Sequence, residues 1–293
     1  MYIATLVTNP DEPRLDDTML QQSQRELGGE TPRWLAPGTA AEIALPTPPE
    51  AFEELWAAYQ ARGIDLAVQS AEGRRKRLLL ADMDSTMIRQ ECIDELADAA
   101  GVGAAVSAVT RRAMNGEIEF EDALRERVAA LRGLDAGLIA RVLAERITLA
   151  RGGRTLVTTM RANGAYTLLV SGGFTAFTDA VAARLGFDAH QANTLQIEQG
   201  RLTGAVAEPI LGGQAKLEAL ERTAEWLGLT PQDAMAVGDG ANDLAMLHRA
   251  GAGVALHAKP AVSAQCDLRI NHGDLTALLY LQGYERDEFA TFS

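Results

Sequence analysis

The sequence predicts an α/β protein: a doubly wound parallel sheet with a four-helix insertion, preceded by a small α+β unit. Three observations carry that prediction. From residue 150 onward, helical stretches alternate with short apolar runs, the pattern of a parallel sheet with helices on both faces. Leu78-Leu79-Leu80-Ala81 is apolar without alternation, as strands buried on both faces are. Between these regions, residues 90–147 show helical periodicity throughout and no strand pattern.

Taken in order, residues 3–8 read as a strand and 16–27 as a helix. Residues 32–46 hold two short strands around Pro37-Gly38. Residues 48–62 form a helix, with prolines at its start and Phe52, Leu55, Trp56 and Tyr59 at helical spacing. Residues 64–68 alternate as a final strand, and the order β-α-β-β-α-β predicts a ferredoxin-like unit over 1–72. The basic run Arg74-Arg75-Lys76-Arg77 reads as a solvated linker into the strand at 78–81. Four apolar stripes follow, led by Cys92-Leu96, Val102-Val106, Leu124-Val128 and Leu138-Val142. They predict a helical cap over 89–149, inserted in a core of 73–88 and 150–293. Beyond it come helix 152–163, strand 166–170, helix 174–185, a hairpin over 188–207, helix 213–227, strand 234–237, helix 241–250 and strand 253–256.

Composition narrows the function. The 293 residues carry 40 acidic and 27 basic side chains, a net charge of −13, which argues against a nucleic-acid partner. Two distant cysteines exclude a disulfide scaffold or zinc ribbon. No run of 18 apolar residues and no secretory pattern at Met1-Tyr2-Ile3-Ala4 leave no membrane role, and a cytoplasmic protein is expected. There is no GxxxxGK[ST] and no HExxH.

Ligands of parallel sheets bind at the carboxyl ends of the strands, so the residues that follow each strand are informative. After 78–81 comes Asp82-Met83-Asp84-Ser85-Thr86; after 166–170 comes Ser171-Gly172-Gly173; after 234–237 comes Gly238-Asp239-Gly240-Ala241-Asn242-Asp243. Lys216 lies just inside the intervening helix. Carboxylates, a hydroxyl beside two glycines and a lysine should therefore meet at one edge.

The order DxDST, SGG, Lys, GDGxND resembles the haloacid-dehalogenase-like (HAD) phosphohydrolases over roughly residues 78–284. Within them the DST ending, a Glu nine residues beyond the first Asp, the helical insertion and GDGANDLAML are similar to the phosphoserine phosphatase branch. The first seventy residues loosely resemble ACT-like domains. The resemblance implies Mg²⁺-dependent hydrolysis of O-phospho-L-serine to L-serine and phosphate, the last step of L-serine biosynthesis. A phosphotransferase to another small acceptor such as homoserine is the alternative. Asp82 would be the nucleophile, forming an aspartyl-phosphate, and Asp84 the general acid and then base. Asp82, the backbone carbonyl of Asp84 and Asp239 would hold the Mg²⁺, a hard ion that takes oxygen ligands. Asp243 would orient a metal-bound water or Lys216. Ser171, the Gly172 N–H, Lys216 and Asn242 would bind the phosphate. Glu91 would take the substrate ammonium and Arg127 its carboxylate, with Arg125 and Arg132 as neighbouring candidates. Met114 and Phe120 match positions of the pocket wall. The loop Asn9-Pro10-Asp11-Glu12-Pro13 has no glycine, which favours a structural or oligomerising N-terminal unit and leaves a homodimer open.

Overall fold

The computed structural model of the chain describes residues 1–114 and 117–291. Met114, expected in the pocket wall, has its side chain outside the described residues. The N-terminal part runs β1 (Tyr2–Thr8), α1 (Asp17–Leu27), β2 (Arg33–Ala36), β3 (Ala40–Leu45), α2 (Phe52–Gln60) and β4 (Ile64–Ser70). Asp16 caps α1 by accepting the Met19 N–H at 2.7 Å, as an Asx residue at a helix start does. The four strands form an antiparallel sheet in the order β2-β3-β1-β4. One face packs on its own helices through Leu6, Ile43, Leu66, Leu20, Leu27 and Tyr59. The other face, with Val7, Ala40 and Ala67, joins the main hydrophobic core. β1 is therefore buried on both faces, and alternation is lost along it.

The rest runs β5 (Leu78–Ala81), α3 (Cys92–Ala99), α4 (Gly103–Met114), α5 (Phe120–Ala129), α6 (Gly137–Glu145), α7 (Gly153–Ala162), β6 (Tyr166–Phe174) and α8 (Thr175–Leu185). It continues with β7 (Ala189–Asn193), β8 (Leu195–Glu198), β9 (Arg201–Val206), α9 (Gly213–Trp226), β10 (Ala234–Gly238), α10 (Leu244–Arg249), β11 (Ala252–Leu256), α11 (Pro260–Ser263), β12 (Leu268–Ile270) and α12 (Ala277–Leu281). Six strands form a parallel sheet in the order β12-β11-β10-β5-β6-β7. The chain winds from β5 one way through β6 and β7, then the other way through β10, β11 and β12. The crevice beyond the carboxyl ends of β5 and β10 is the switch point where such sheets bind ligands. The sheet is doubly wound: Leu78 and Leu80 face Ala219, Leu220 and Met246, while Leu79 and Ala81 share a core with Val157, Phe177 and Leu278.

The cap helices α3 to α6 leave and rejoin the core side by side, through the bridge Ile88↔Leu149 and the bond from Arg89 N–H to the Thr148 carbonyl at 3.1 Å.

The hairpin read over 188–207 needs correction. Its turn is where expected, with Gln199 at φ 50 and Gly200 at φ 76, the left-handed pair of a tight hairpin. Its first arm is only β8, which pairs with β9; residues 189–193 instead add β7 to the main sheet, parallel to β6. Alternation marks a strand but does not name its partner. The β8-β9 hairpin reaches the cap, where the Gly133 N–H donates to the Leu202 carbonyl at 2.8 Å.

The N-terminal sheet is tied to the main sheet by buried polar contacts. Asp65, 1% exposed, accepts the backbone N–H groups of Asn271 at 2.9 Å, His272 at 3.0 Å and Gly273 at 2.8 Å, just past β12. A buried carboxylate with several N–H donors is satisfied without a cation.

Candidate active site

The site starts where β5 ends. Asp82 is the first residue past the strand, and the chain then makes a five-residue turn closed by the Ile88 N–H on the Met83 carbonyl at 3.0 Å. Ser85 sits in that turn at φ 56, a conformation a non-glycine residue adopts only under local constraint. The constraint is visible: the Ser85 hydroxyl donates to Glu91 Oε1 at 2.7 Å, and its N–H donates to the Gln90 carbonyl at 3.2 Å. The turn thus aims Asp84 at the start of α3, where its Oδ1 accepts the Cys92 N–H at 2.9 Å.

The second strand end supplies Ser171. Its hydroxyl lies 3.4 Å from Asp84 Oδ2 and accepts the Gly173 N–H at 2.8 Å. Glycine at 173 allows a close approach: a Cβ there would stand 2.9 Å from Asp84 Oδ2, so that carboxylate would have to shift. The third strand end supplies Asp239, which accepts the Thr86 hydroxyl at 3.0 Å, and Asp243, whose Oδ2 accepts the Gly240 N–H at 3.0 Å.

Lys216, from the first turns of α9, enters from beneath. Its ammonium lies 2.5 Å from Asp82 Oδ1 and 2.6 Å from Asp243 Oδ1, in a setting where the lysine is 1% exposed. Burial works against its charge, but Asp82 and Asp243 outweigh that and hold its pKa above the ordinary lysine range. Burial, reinforced by Glu91, pushes Asp84 up to about 6; burial, reinforced by Asp243, pushes Asp239 up to about 6. Burial also raises the Cys92 thiol, which removes it as a nucleophile.

Carboxylate oxygens of Asp82, Asp239 and Asp243 approach within 4.8 Å of one another. Three hard oxygen donors with one lysine between them leave negative charge uncompensated, which suits a divalent cation. The two oxygens of Asp243 are occupied by Lys216 and the Gly240 N–H. Asp82 and Asp239 each keep an oxygen with no hydrogen-bond partner among the described residues, so these two are the available ligands.

A cavity of about 630 Å³ opens between these strand ends and the cap. Of the expected residues, Asp82, Asp84, Glu91, Phe120, Arg127, Ser171, Gly172, Asp239 and Asn242 line it. Lys216, expected among the phosphate-binding groups, is absent from the lining, as is Asp243, because its ammonium is taken up by Asp82 and Asp243. Arg127 is the cap arginine that faces inward, its Nε donating to the Ala123 carbonyl at 3.3 Å. Arg125 points away to Glu208 at 2.9 Å, and Arg132 is absent from the lining. The sequence reading missed four residues. Ser85 and Thr86 hold Glu91 and Asp239. Asn193, 2% exposed, donates to the Gly172 carbonyl at 2.9 Å and accepts the Leu211 N–H at 2.7 Å. Lys259 lines the cavity from the loop after β11. The one signal for Asn193 was an amide at a strand end, too common to single out.

The haloacid dehalogenase-like hydrolase family matches residues 79–248. A phosphoserine phosphatase of Streptomyces coelicolor is 45% identical over 230 residues, which is 78% of this chain but 56% of that protein's length. A HAD family hydrolase of Salmonella enterica serovar Typhi superposes with TM-score 0.85 at 30% identity, covering 98% of this chain and 100% of the other. A phospho-aspartyl intermediate analogue of a phosphoserine phosphatase superposes with TM-score 0.65 at 38% identity, covering 70% of this chain and 98% of the other. The motif-bearing strand ends, the inserted cap and these likenesses agree: the chain belongs to the haloacid dehalogenase-like hydrolase family.

Proposed function

We propose that this chain is a Mg²⁺-dependent phosphoserine phosphatase, acting at the last step of L-serine biosynthesis. The observation that carries the reading is one cavity lined by Asp82 and Asp84 on the core side and by Glu91 and Arg127 on the cap side. A carboxylate pair beside a hydroxyl and glycine loop suits a phosphomonoester; a carboxylate and a guanidinium opposite suit an amino acid's ammonium and carboxylate. The similarity to phosphoserine phosphatases supports the same substrate class.

Mg²⁺, held by Asp82, Asp239 and the backbone carbonyl of Asp84, would supply Lewis-acid stabilisation of charge on the phosphoryl oxygens. Asp82, one oxygen of which Lys216 holds, is the attacking carboxylate. Its bond to phosphorus forms as the ester P–O bond breaks, and Asp84 gives its proton to the departing serine oxygen. Water then attacks phosphorus of the aspartyl-phosphate, returns a proton to Asp84 and releases phosphate with Asp82 restored. Ser171, the Gly172 N–H and Asn242 bind the phosphoryl oxygens, while Lys216 keeps Asp82 oriented. Residues 1–72 form an ACT-like unit in this reading, with a structural or dimerising role. Among the described residues no helix is long and apolar enough to cross a membrane, in keeping with a cytoplasmic enzyme.

The test is phosphate release from phosphoserine, phosphothreonine, phosphoethanolamine and sugar phosphates, with Mg²⁺ and with EDTA. Preference for phosphoserine, lost with EDTA and in Asp82→Asn, is the expected result. A different best substrate overturns the amino-acid clamp, and activity retained by Asp82→Asn overturns the mechanism.

A further inference from the structure

We propose that Lys259 is a substrate-engaging residue, whose ammonium draws in and holds the phosphate dianion at the core-side rim of the cavity. Its place in the fold is the first argument. β11 pairs in parallel with β10, with Ala255 opposite Gly238, so the loop after β11 leaves the sheet at the edge that carries Asp239. Lys259 lines the cavity from that loop, as Gly240 and Asn242 do from the loop after β10. Its backbone is anchored: its carbonyl accepts the N–H groups of Val262 and Ser263, both at 2.9 Å, and Pro260 fixes the next φ.

Charge is the second argument. The chain carries a net charge of −13. Five carboxylates line the cavity: Asp82, Asp84, Glu91, Glu119 and Asp239. A dianionic ester approaching this mouth meets repulsion before it meets any metal. The cations able to offset that are few. Lys216 is spent on Asp82 and Asp243 and stands behind the wall. Arg127 lies on the cap, where the proposed function assigns it to the substrate carboxylate. Lys259 is the remaining cation in the lining, exposed and with no carboxylate partner among the described residues. An exposed ammonium on a flexible stem acts on encounter and binding, not on the chemical step.

The inference rests on the phosphomonoester reading but not on serine as the leaving alcohol, since Lys259 addresses the phosphoryl end. The experiment compares the Mg²⁺-loaded wild type with Lys259→Gln and Lys259→Arg. Initial rates on phosphoserine and p-nitrophenyl phosphate are measured from about 20 to about 300 mM NaCl. Binding of inorganic phosphate is measured by titration calorimetry. Lys259→Gln is expected to lower kcat/KM about 5- to 20-fold at low salt with kcat within about twofold, and to flatten the salt dependence. It should weaken phosphate binding by a similar factor, and Lys259→Arg should restore both. Unchanged kcat/KM and phosphate affinity in Lys259→Gln overturn the assignment, as does a loss confined to kcat that arginine does not rescue. A wild type that hydrolyses no ester overturns the proposed function instead; the calorimetric comparison, which needs no turnover, still decides on Lys259.

Discussion

Lys216 places its ammonium 2.5 Å from Asp82 Oδ1, inside a wall where the lysine is 1% exposed. The contact joins a residue of α9 to the first residue past β5, and a second contact at 2.6 Å joins the same ammonium to Asp243. Removing one member of such a buried group leaves its partners charged and unpaired. Lys216→Met should therefore destabilise the fold by about 3–5 kcal/mol, and phosphate release should fall at least about a thousandfold. Adding Asp243→Asn should recover part of the stability and none of the activity. Urea midpoints and initial rates on the two variants check both statements.

Thr86 donates its hydroxyl to Asp239 across the site at 3.0 Å. Thr86→Val keeps the shape and removes the donor. Partners of metal-binding carboxylates tune affinity by about 10- to 100-fold when lost. The Mg²⁺ concentration for half-maximal activity should rise by about tenfold, while the rate at saturating Mg²⁺ changes much less. An unchanged Mg²⁺ requirement would argue against Asp239 as a ligand.

Asn193 is buried and bonds the Gly172 carbonyl and the Leu211 N–H, so it braces the irregular end of β6 that carries Ser171. Asn193→Ala orphans both groups. A cost of about 1–3 kcal/mol in unfolding free energy is expected, with a fall of about tenfold in kcat/KM as that strand end loosens. Asn193→Asp keeps the acceptor for Leu211 but sets a carboxylate oxygen against the carbonyls of Gly172 and Leu211, and should lose at least as much stability as the alanine variant.

Glu42 lies between Arg33 at 2.7 Å and Arg74 at 2.8 Å. Burial raises its carboxyl, but the hydrogen bonds of Arg74 and Arg33 outweigh burial and hold it below its ordinary value of 4.5. Its ionised form is thus favoured by folding. That contribution is present above the ordinary value and is lost as pH falls through the lower folded value. Glu42→Gln should be less stable than the wild type near neutral pH, and the difference should shrink as pH drops below about 4.5. Urea unfolding at a series of pH values measures it; a gap that widens on acidification would contradict the sign.

Much of the active site was legible because a parallel sheet converts sequence order into spatial order. Asp82 and Asp239 each follow a strand of one parallel sheet and Ser171 lies in the last residues of another, β6, so a reader who finds the strands finds the site edge. Lys216 was readable as the lysine opening the helix between them. The contacts that hold these groups were not readable. Thr86 and Asp239 are 153 positions apart, and Asn193 and Gly172 are 21 apart. A hydroxyl or an amide carries no local mark of the partner it will meet.

The sequence by itself determined most of the strands, though not the short edge strand β12, together with the inserted helical module and the residues at the strand ends, since these depend on local periodicity and on motifs of a few residues. Only the tertiary structure decided which strand residues 189–193 join, because period-two alternation is the same for either partner. It also decided that Arg127, not Arg125, faces the cavity: two positions along α5 turn a side chain to another face, and Glu208 holds Arg125 there. And it decided that the N-terminal sheet buries its second face on the main core, since packing between units depends on surface shape and not on any run of residues.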